Sequence, residues 1–505
     1  MALIGLDIGT SGAKALAVNS RGKVLATAFA EYPMATPHPL WAEQDPNHWW
    51  KAAKQVLRGV LRKAEIRAPE VQGIGLTGQM HGLVLLDEAG AVLRPCIMWN
   101  DQRTAEECAE MTAKVGRERL LDLTGNLVLP GFTAPKILWV RKHEPRVYEK
   151  TRHVLLPKDF IRYKLTGEFA SEMSDASGTV LLDVRQRSWS AEILNILQVP
   201  SEWMPALVES TEQTGRVTRM AAKDTGLNEG TPVVGGGGDQ AAGAVGSGIV
   251  REGVVSVTIG TSGVVFAHSA GYRREPQGRL HAFCHAVPKA WHLMGVTLSA
   301  GGSLRWFRDA FCMEEKQVAR KKGIDPYEVM VKSASRCAAG SDGLLFLPYL
   351  TGERTPYPDP LARGAFIGLT VRHTKAHMIR SILEGVAFSL KDCMELMKNA
   401  GVPVADVRVS GGGARSEVWR QILADVLGRN LTTVTSTEGA PYGAALLAGA
   451  GVGVFESVQA ACDRVIKPAS ITNPGKHVGV YDRFYEVYRS SYRQNTPLFQ
   501  SLSRL

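Results

Sequence analysis

One pentapeptide, IGTSG, occurs twice in this chain, at Ile8 to Gly12 and again at Ile259 to Gly263. Each copy follows a short aliphatic run (Leu3 to Leu6, Val254 to Val257) and precedes another (Ala15 to Val18, Val264 to Ala267), a pattern that predicts strand, tight turn, strand. Glycine lets backbone N–H groups approach an anion closely, and the Thr and Ser hydroxyls add donors. Gly, Ser and Thr are also ordinary turn residues. An identical pentapeptide in the same strand context in both halves favours a duplicated fold with a nucleotide clamped between two phosphate loops. The copies differ at one chemically weighty position: Asp7 precedes the first loop and Thr258 the second.

A chain of 505 residues with 45% hydrophobic content is normally two or more domains with sizeable cores. Short strands alternate with helical patterns such as Asn47 to Ala64, and the second hairpin opens a new half after Arg251. The expected fold is therefore α/β with mixed sheets and a ligand cleft between two domains, residues 1–246 and 247–505. In the second half the pattern predicts helices over Ala376 to Asn399 and Ser416 to Gly428, with a strand at Val407 to Ser410. The stretch Gly439 to Phe455 reads as a buried helix, because its glycines and Pro441 do not make a membrane span. The tail after Asn473 is polar and aromatic and has no assigned domain.

The seven cysteines are scattered without CxxC pairs, so free thiols in a reducing cytoplasm are expected. No basic segment precedes an apolar one at the N-terminus, which argues against a secretory signal. The net charge of +10 is dispersed among acidic residues with no basic run. A mild attraction for anionic ligands is expected rather than nucleic-acid binding, and no membrane association. A homodimer is compatible with the sequence, which carries no signal for oligomeric state.

Two further glycine runs stand between strands and helices. Gly235 to Gly238 follows the strand Pro232 to Val234 and delivers Asp239 to the start of a small-residue helix, where α/β proteins place reactive groups. Asp is also a common helix N-cap; the four glycines are expected to clear space beside the carboxylate for a substrate and a phosphoryl group. Gly411 to Gly413, followed by Ala414 and Ser416, offers a side-chain-free surface for a nucleotide base or ribose.

At this point LDIGTSGAK, PHPLWAEQDP (Pro37 to Pro46), GQMHG (Gly78 to Gly82), WNDQR (Trp99 to Arg103), GFTAPKILWV (Gly131 to Val140), GGGDQAAGAVG (Gly236 to Gly246), FLPYLTGERTP (Phe346 to Pro356), GAFIGLTVRHTKAHMIRSILEG (Gly364 to Gly385) and GGGARSEVWRQ (Gly411 to Gln421) together resemble the FGGY carbohydrate kinases, in order and over nearly the whole chain. The resemblance implies duplicated actin-like, ribonuclease-H-like ATPase domains and a pentulokinase whose substrates are D-xylulose and ATP. It implies Asp239 as the general base and Asp7 as the carboxylate for Mg²⁺, held through water, since Mg²⁺ prefers oxygen ligands and dehydrates reluctantly. Gly9, Thr10, Ser11, Gly260, Thr261 and Ser262 would cradle phosphates from opposite domains, and Lys14 would either approach them or face solvent. Gly412, Gly413, Ala414 and Ser416 would meet the rest of the nucleotide. Sugar recognition falls on Met80, His81 and Gln240, with Trp99, Asp101 and Arg103 as further pocket residues.

Three other readings share some of these residues. Kinases for ribulose, gluconate, fuculose or glycerol share the motifs. An ATP-driven switch of the actin type would use the clamp but has no use for Asp239 or for the Met80–His81 pair. A glycosidase using Asp7 and Asp239 leaves the duplicated loops unexplained. The run His281, Cys284, His285 has no fourth ligand at a zinc spacing and is expected to be packing.

Overall fold

The computed structural model describes residues 1–435 and 438–504. Its two main sheets repeat one plan. In the first, the strand order is Gln213–Arg216, Pro232–Val234, Val71–Gly78, Ala2–Ile8, Gly12–Val18, Val24–Glu31, and Gly237–Gly238 also pairs with Val71–Gly78. In the second the order is Pro468–Thr472, Leu431–Val434, Val404–Ser410, Gly253–Ile259, Gly263–Ser269, Trp291–Thr297, His281–Cys284. Each repeated IGTSG sequence joins the two strands of an antiparallel hairpin, whose first strand then runs parallel to the next one inward. Outward, a third strand pairs antiparallel with the hairpin in both sheets. This shared order of antiparallel and parallel pairings bears out the duplication expected from the repeat and the ribonuclease-H-like, actin-like topology that the family resemblance implied.

Register makes the repeat a residue-level correspondence. Asp7 lies opposite Lys14 on one side and Thr77 on the other; Thr258 lies opposite Val264 and Ser410. In the second half, Thr258 and Ser410 are joined hydroxyl to hydroxyl at 2.9 Å. In the first half, Asp7 Oδ1 and Thr77 Oγ1 are buried without a hydrogen-bond partner. The same fold position is thus satisfied in one half and left chemically open in the other.

The helices form where amphipathic spacing and caps place them. Pro46–Lys63 starts at Asp45, whose side chain accepts from Asn47 N, and buries Trp49, Ala53, Val56, Leu57 and Val60 against the first sheet. Glu417–Leu427 is capped by Ser416, accepting from Trp419 N, and ends at Gly428 in the left-handed region, which glycine adopts without steric cost. Lys375–Asn399 occupies the predicted span and is buried along most of its length. The tail forms the helix Val478–Leu502, and Tyr481, Tyr485 and Tyr488 join the core of the second half beside Phe388 and Trp419. Its hydroxyls are satisfied there: Tyr481 donates to Glu384 at 2.8 Å and Tyr485 to Asp392 at 2.6 Å. The tail therefore belongs to the second half.

Helix Ala440–Gly451 is buried as expected, but it lies on the sheet of the first half. A Cβ on Gly5 would stand 1.8 Å from Pro441 O, one on Gly75 1.9 Å from Ala444 O, and one on Gly443 1.8 Å from Ala242 O. Backbone therefore meets backbone at three points, locking this helix against two central strands and against Asp239–Gly246. Gly75→Ala is expected to destabilise the protein by about 3 kcal/mol, the upper range for overpacking against unyielding backbone. A denaturant midpoint equal to wild type would show that the contact relaxes freely.

All seven cysteines are free thiols. Among the described residues, no helix is long and apolar enough to cross a membrane. His281, Cys284 and His285 each have their own partners: His281 Nδ1 meets Asn126 Oδ1 at 2.9 Å, Cys284 Sγ reaches Val184 O at 3.7 Å, and His285 Nε2 donates to Ile249 O at 3.0 Å.

Candidate active site

Both loops are closed by their own backbones. Gly9 N donates to Gly12 O at 3.1 Å and Gly260 N to Ser262 O at 3.0 Å, leaving Ser11 and Thr261 exposed at the tips. The first loop is held from below. Gln44 Nε2 donates to Thr10 O at 2.7 Å, Gln79 Nε2 to Gln44 Oε1 at 3.1 Å, and Tyr32 OH to Gly9 O. The Thr10 hydroxyl accepts from Trp99 Nε1 at 3.0 Å and lies 3.4 Å from Gln79 Oε1. Trp99 is thus not a core residue: it is 44% exposed and braces the first loop.

The second loop is tied to a helix N-terminus. Gly301 N donates to Gly260 O at 2.8 Å and Gly302 N to Thr261 O at 3.0 Å, where helix Gly301–Phe311 begins. A Cβ on Gly301 would stand 2.5 Å from Gly260 O, so this close approach requires glycine. Beside it, Gly413 packs on Ile259 and Trp419, while Gly412 faces open space. Ala414 is buried beneath, and Ser416 is occupied as a helix cap.

Asp239 opens helix Asp239–Gly246, and its cap residue is Gly238, so the carboxylate is not spent on capping. Because Gly237–Gly238 pairs with Thr77–Gly78, Asp239 enters beside the strand pair that carries Asp7. Burial raises the Asp239 pKa to about 7, with the negative charge of Asp7 adding to the rise and hydrogen bonds from Gln240 opposing it. Burial likewise raises Asp7 to about 6, partly offset by Lys14. Lys14 Nζ itself lies 2.5 Å from Glu438 Oε2, an ion pair between the first hairpin and the segment entering helix Ala440–Gly451.

The glycine run does not clear space as the sequence suggested. A Cβ on Gly235 would meet Glu209 O at 2.2 Å, one on Gly236 would meet Leu76 O at 1.8 Å, and Gly237 and Gly238 abut Ala286 and Met80. All four positions face protein; the glycines permit tight packing that brings Met80 against Gly238, the residue before Asp239. Met80 is buried, and His81 follows with φ 69°. His81 Nδ1 donates to Gly178 O at 2.8 Å, which leaves Nε2 of the neutral ring as an acceptor. Burial chiefly lowers its pKa to about 3, and the charges of Lys136 and Arg354 add to the fall. Lys136 is fully buried and donates to His81 O and Gly131 O, each at 2.8 Å, fixing the histidine backbone.

Asp101 and Arg103 require correction as pocket residues. Both Asp101 oxygens accept from Arg103, at 2.9 and 2.7 Å, and Oδ2 also accepts from Ala42 N at 2.7 Å. Arg103 further pairs with Glu43 at 2.8 Å and stacks on Trp41. Their side chains are 0% and 1% exposed, so the pair fastens the segment around Trp41 to Gln44 instead of offering groups to a ligand. Gln240 is exposed. Sequence reasoning missed Gln44, Gln79, Tyr32, Gly301 and Gly302. Gln44 and Gln79 lay inside quoted motifs, whereas nothing local marks the other three.

The structure thus combines a glycine-rich hairpin turn in each half, the Asp7 carboxylate beside the first with Asp239 entering next to its strand pair, and a neutral histidine acceptor. Comparison with known proteins gives the family and the fold. The N-terminal domain model of the FGGY family of carbohydrate kinases matches residues 2–246 and the C-terminal domain model residues 255–452. The chain is 42% identical to the xylulose kinase of Escherichia coli over 98% of this chain and 99% of that one. It is 39% identical to the xylulose kinase of Bacillus subtilis over 99% and 98%. Its fold matches the crystal structure of xylulose kinase from Rhodospirillum rubrum with a TM-score of 0.91 at 33% identity, covering 99% of this chain and all of that one. The chain belongs to the FGGY family of carbohydrate kinases.

Proposed function

We propose that this protein transfers the γ-phosphoryl group of ATP to the terminal hydroxyl of D-xylulose, giving D-xylulose 5-phosphate. The observation that carries the reading is the juxtaposition of Asp239, Met80 and His81 at the end of the strand pair bearing the first phosphate loop. Phosphoryl transfer proceeds through a loose transition state, so positioning and charge stabilisation do most of the work. The backbone N–H groups of Thr10, Ser11, Thr261 and Ser262, with the exposed Ser11 and Thr261 hydroxyls, hold phosphate oxygens from the two sides. The N-terminus of helix Gly301–Phe311 adds its positive end to the second loop. The surface over Gly412 takes the base or ribose. The His81 Nε2 lone pair accepts from a sugar hydroxyl, and Met80 supplies the apolar floor. Asp239 takes the proton of the attacking hydroxyl as the bond to phosphorus forms.

Asp7 and Thr77 fit a Mg²⁺ shared with ATP, since one carboxylate oxygen and one hydroxyl stand buried and unpartnered at the base of the loop and Mg²⁺ usually takes one or two protein oxygens plus water and phosphates. When bound, the ion supplies neutralisation of charge on the β and γ phosphates. The free thiols support a reducing cytoplasm as the place of action.

The test is Mg·ATP-dependent ADP release with D-xylulose, D-ribulose, L-ribulose, D-gluconate, L-fuculose and glycerol. The expected result is the highest kcat/KM for D-xylulose. Preference for another sugar would overturn the substrate, and release indifferent to every sugar would overturn the kinase. His81→Ala is expected to raise KM for D-xylulose about 3- to 10-fold, the worth of one neutral hydrogen bond, with KM for ATP unchanged. An equal rise in both constants would remove His81 from the sugar site.

A further inference from the structure

Behind Asp239 lies a closed cluster of charged and hydroxyl side chains that substrate does not reach. Lys158, Asp159, Arg162, Glu172, Ser174 and Asp175 are each 0% exposed. Lys158 Nζ stands 2.6 Å from Asp159 Oδ1 and 3.1 Å from Asp175 Oδ2, and Arg162 Nη1 is 3.1 Å from Asp159 Oδ1. Ionic groups this deep are retained only when paired and hydrogen-bonded.

The cluster grips the glycine run at both ends. At its start, the Arg162 guanidinium donates to Gly235 O and, at 2.7 Å, to Ala170 O. At its end, Gly238 N donates to Ser174 Oγ at 3.0 Å, and Ser174 Oγ donates in turn to Glu172 Oε2 at 2.6 Å. Glu172 Oε1 also accepts from Ser174 N at 2.9 Å, which fixes the serine rotamer. Four successive glycines have more backbone freedom than any other tetrapeptide, and they carry no side chains by which the fold could hold them. Gly238 is the residue immediately before Asp239, so the N–H held by Ser174 belongs to the peptide unit just ahead of the one that carries Asp239.

We propose that Ser174, oriented by Glu172, and Arg162 are positioning residues for phosphoryl transfer: they clamp Gly238 N and Gly235 O and so set the Asp239 carboxylate against the attacking hydroxyl. The proposal rests on Asp239 being the base. It predicts losses in kcat without losses in substrate binding, because the clamped atoms touch neither sugar nor nucleotide.

Ser174→Ala is expected to lower kcat about 10- to 100-fold, the scale of loss that about 1 Å of misplacement brings, with KM for D-xylulose and for Mg·ATP within about twofold of wild type. Glu172→Gln keeps one of the two oxygens that accept from Ser174 and replaces the other with a donor, so its kcat is expected to fall between wild type and Glu172→Ala, which is expected to fall with Ser174→Ala. Wild-type kcat in Ser174→Ala overturns the proposal. So does a Glu172→Gln loss as large as that of Glu172→Ala, or a failure of both alanine variants to fold, which would make the cluster a folding determinant only. If Ser174→Ala alone fails to fold, the Glu172 pair decides. Asp239→Asn measured in parallel separates the two readings: an active Asp239→Asn removes the base itself, whereas an inactive one beside a fully active Ser174→Ala removes only the clamp.

Discussion

Asp239→Asn is expected to remove nearly all turnover while D-xylulose binding stays measurable. A positioned base is worth about 10² to 10⁴ in rate, and the amide keeps the shape of the carboxylate while losing its proton affinity. Activity above a tenth of wild type would exclude Asp239 as the base. The same substitution carries a stability signature of opposite sign. Burial and the Asp7 charge raise the folded-state pKa of Asp239 from 3.8 to about 7. Above about pH 7 both folded and unfolded states are ionised, and the folded protein bears the full cost of a desolvated carboxylate. Between 7 and 3.8 the folded state binds the proton that the unfolded state has lost, so that cost fades as the pH falls. In metal-free buffer, Asp239→Asn is therefore expected to raise Tm at pH 8, with the gain shrinking toward pH 4. A Tm gain independent of pH would contradict this origin. An active site that weakens the fold it stands on is a common consequence of placing charge where chemistry needs it.

Asp7→Ala is expected to produce the second large effect, on the Mg²⁺ dependence. Removing the one carboxylate at the base of the first loop leaves Thr77 as the remaining oxygen of the pair. The expected outcome is a fall in kcat of about 10² or more, the scale seen when one electrostatic contributor to a transition state is removed, and a Mg²⁺ requirement displaced to higher concentration. Titrating Mg²⁺ against nucleotide binding, without sugar, reads the same role independently of turnover. If activity and nucleotide binding respond to Mg²⁺ as in wild type, Asp7 does not hold the ion. Thr258, in the equivalent place of the second half, is satisfied by Ser410, so Thr258→Ala is expected to leave the Mg²⁺ response unchanged.

Local sequence made much of this molecule legible. The hairpins around Gly9 and Gly260, the helix Lys375–Asn399, and the placement of Asp239 after a glycine run at a helix start all follow from short-range patterns. Trp99, Asp101 and Arg103 show where such patterns stop. They sit within five consecutive positions, yet Trp99 turns out to the first loop while Asp101 and Arg103 turn inward to Ala42 and Glu43. Aromatic and charged residues in a short motif resemble a pocket whether they face a ligand or a neighbouring segment, because motif chemistry carries no information about which side is covered.

The sequence by itself determined the duplication, the two glycine-rich hairpin loops and the single loop carboxylate, since all three are written in contiguous residues whose backbone preferences are local. Only the tertiary structure decided that helix Ala440–Gly451 closes the sheet of the other half, that Lys14 pairs with Glu438 across 424 positions of chain, and that Gly235 to Gly238 are small because protein crowds them. Those outcomes depend on which surfaces exclude water from one another, and burial couples residues by distance in space, not along the chain.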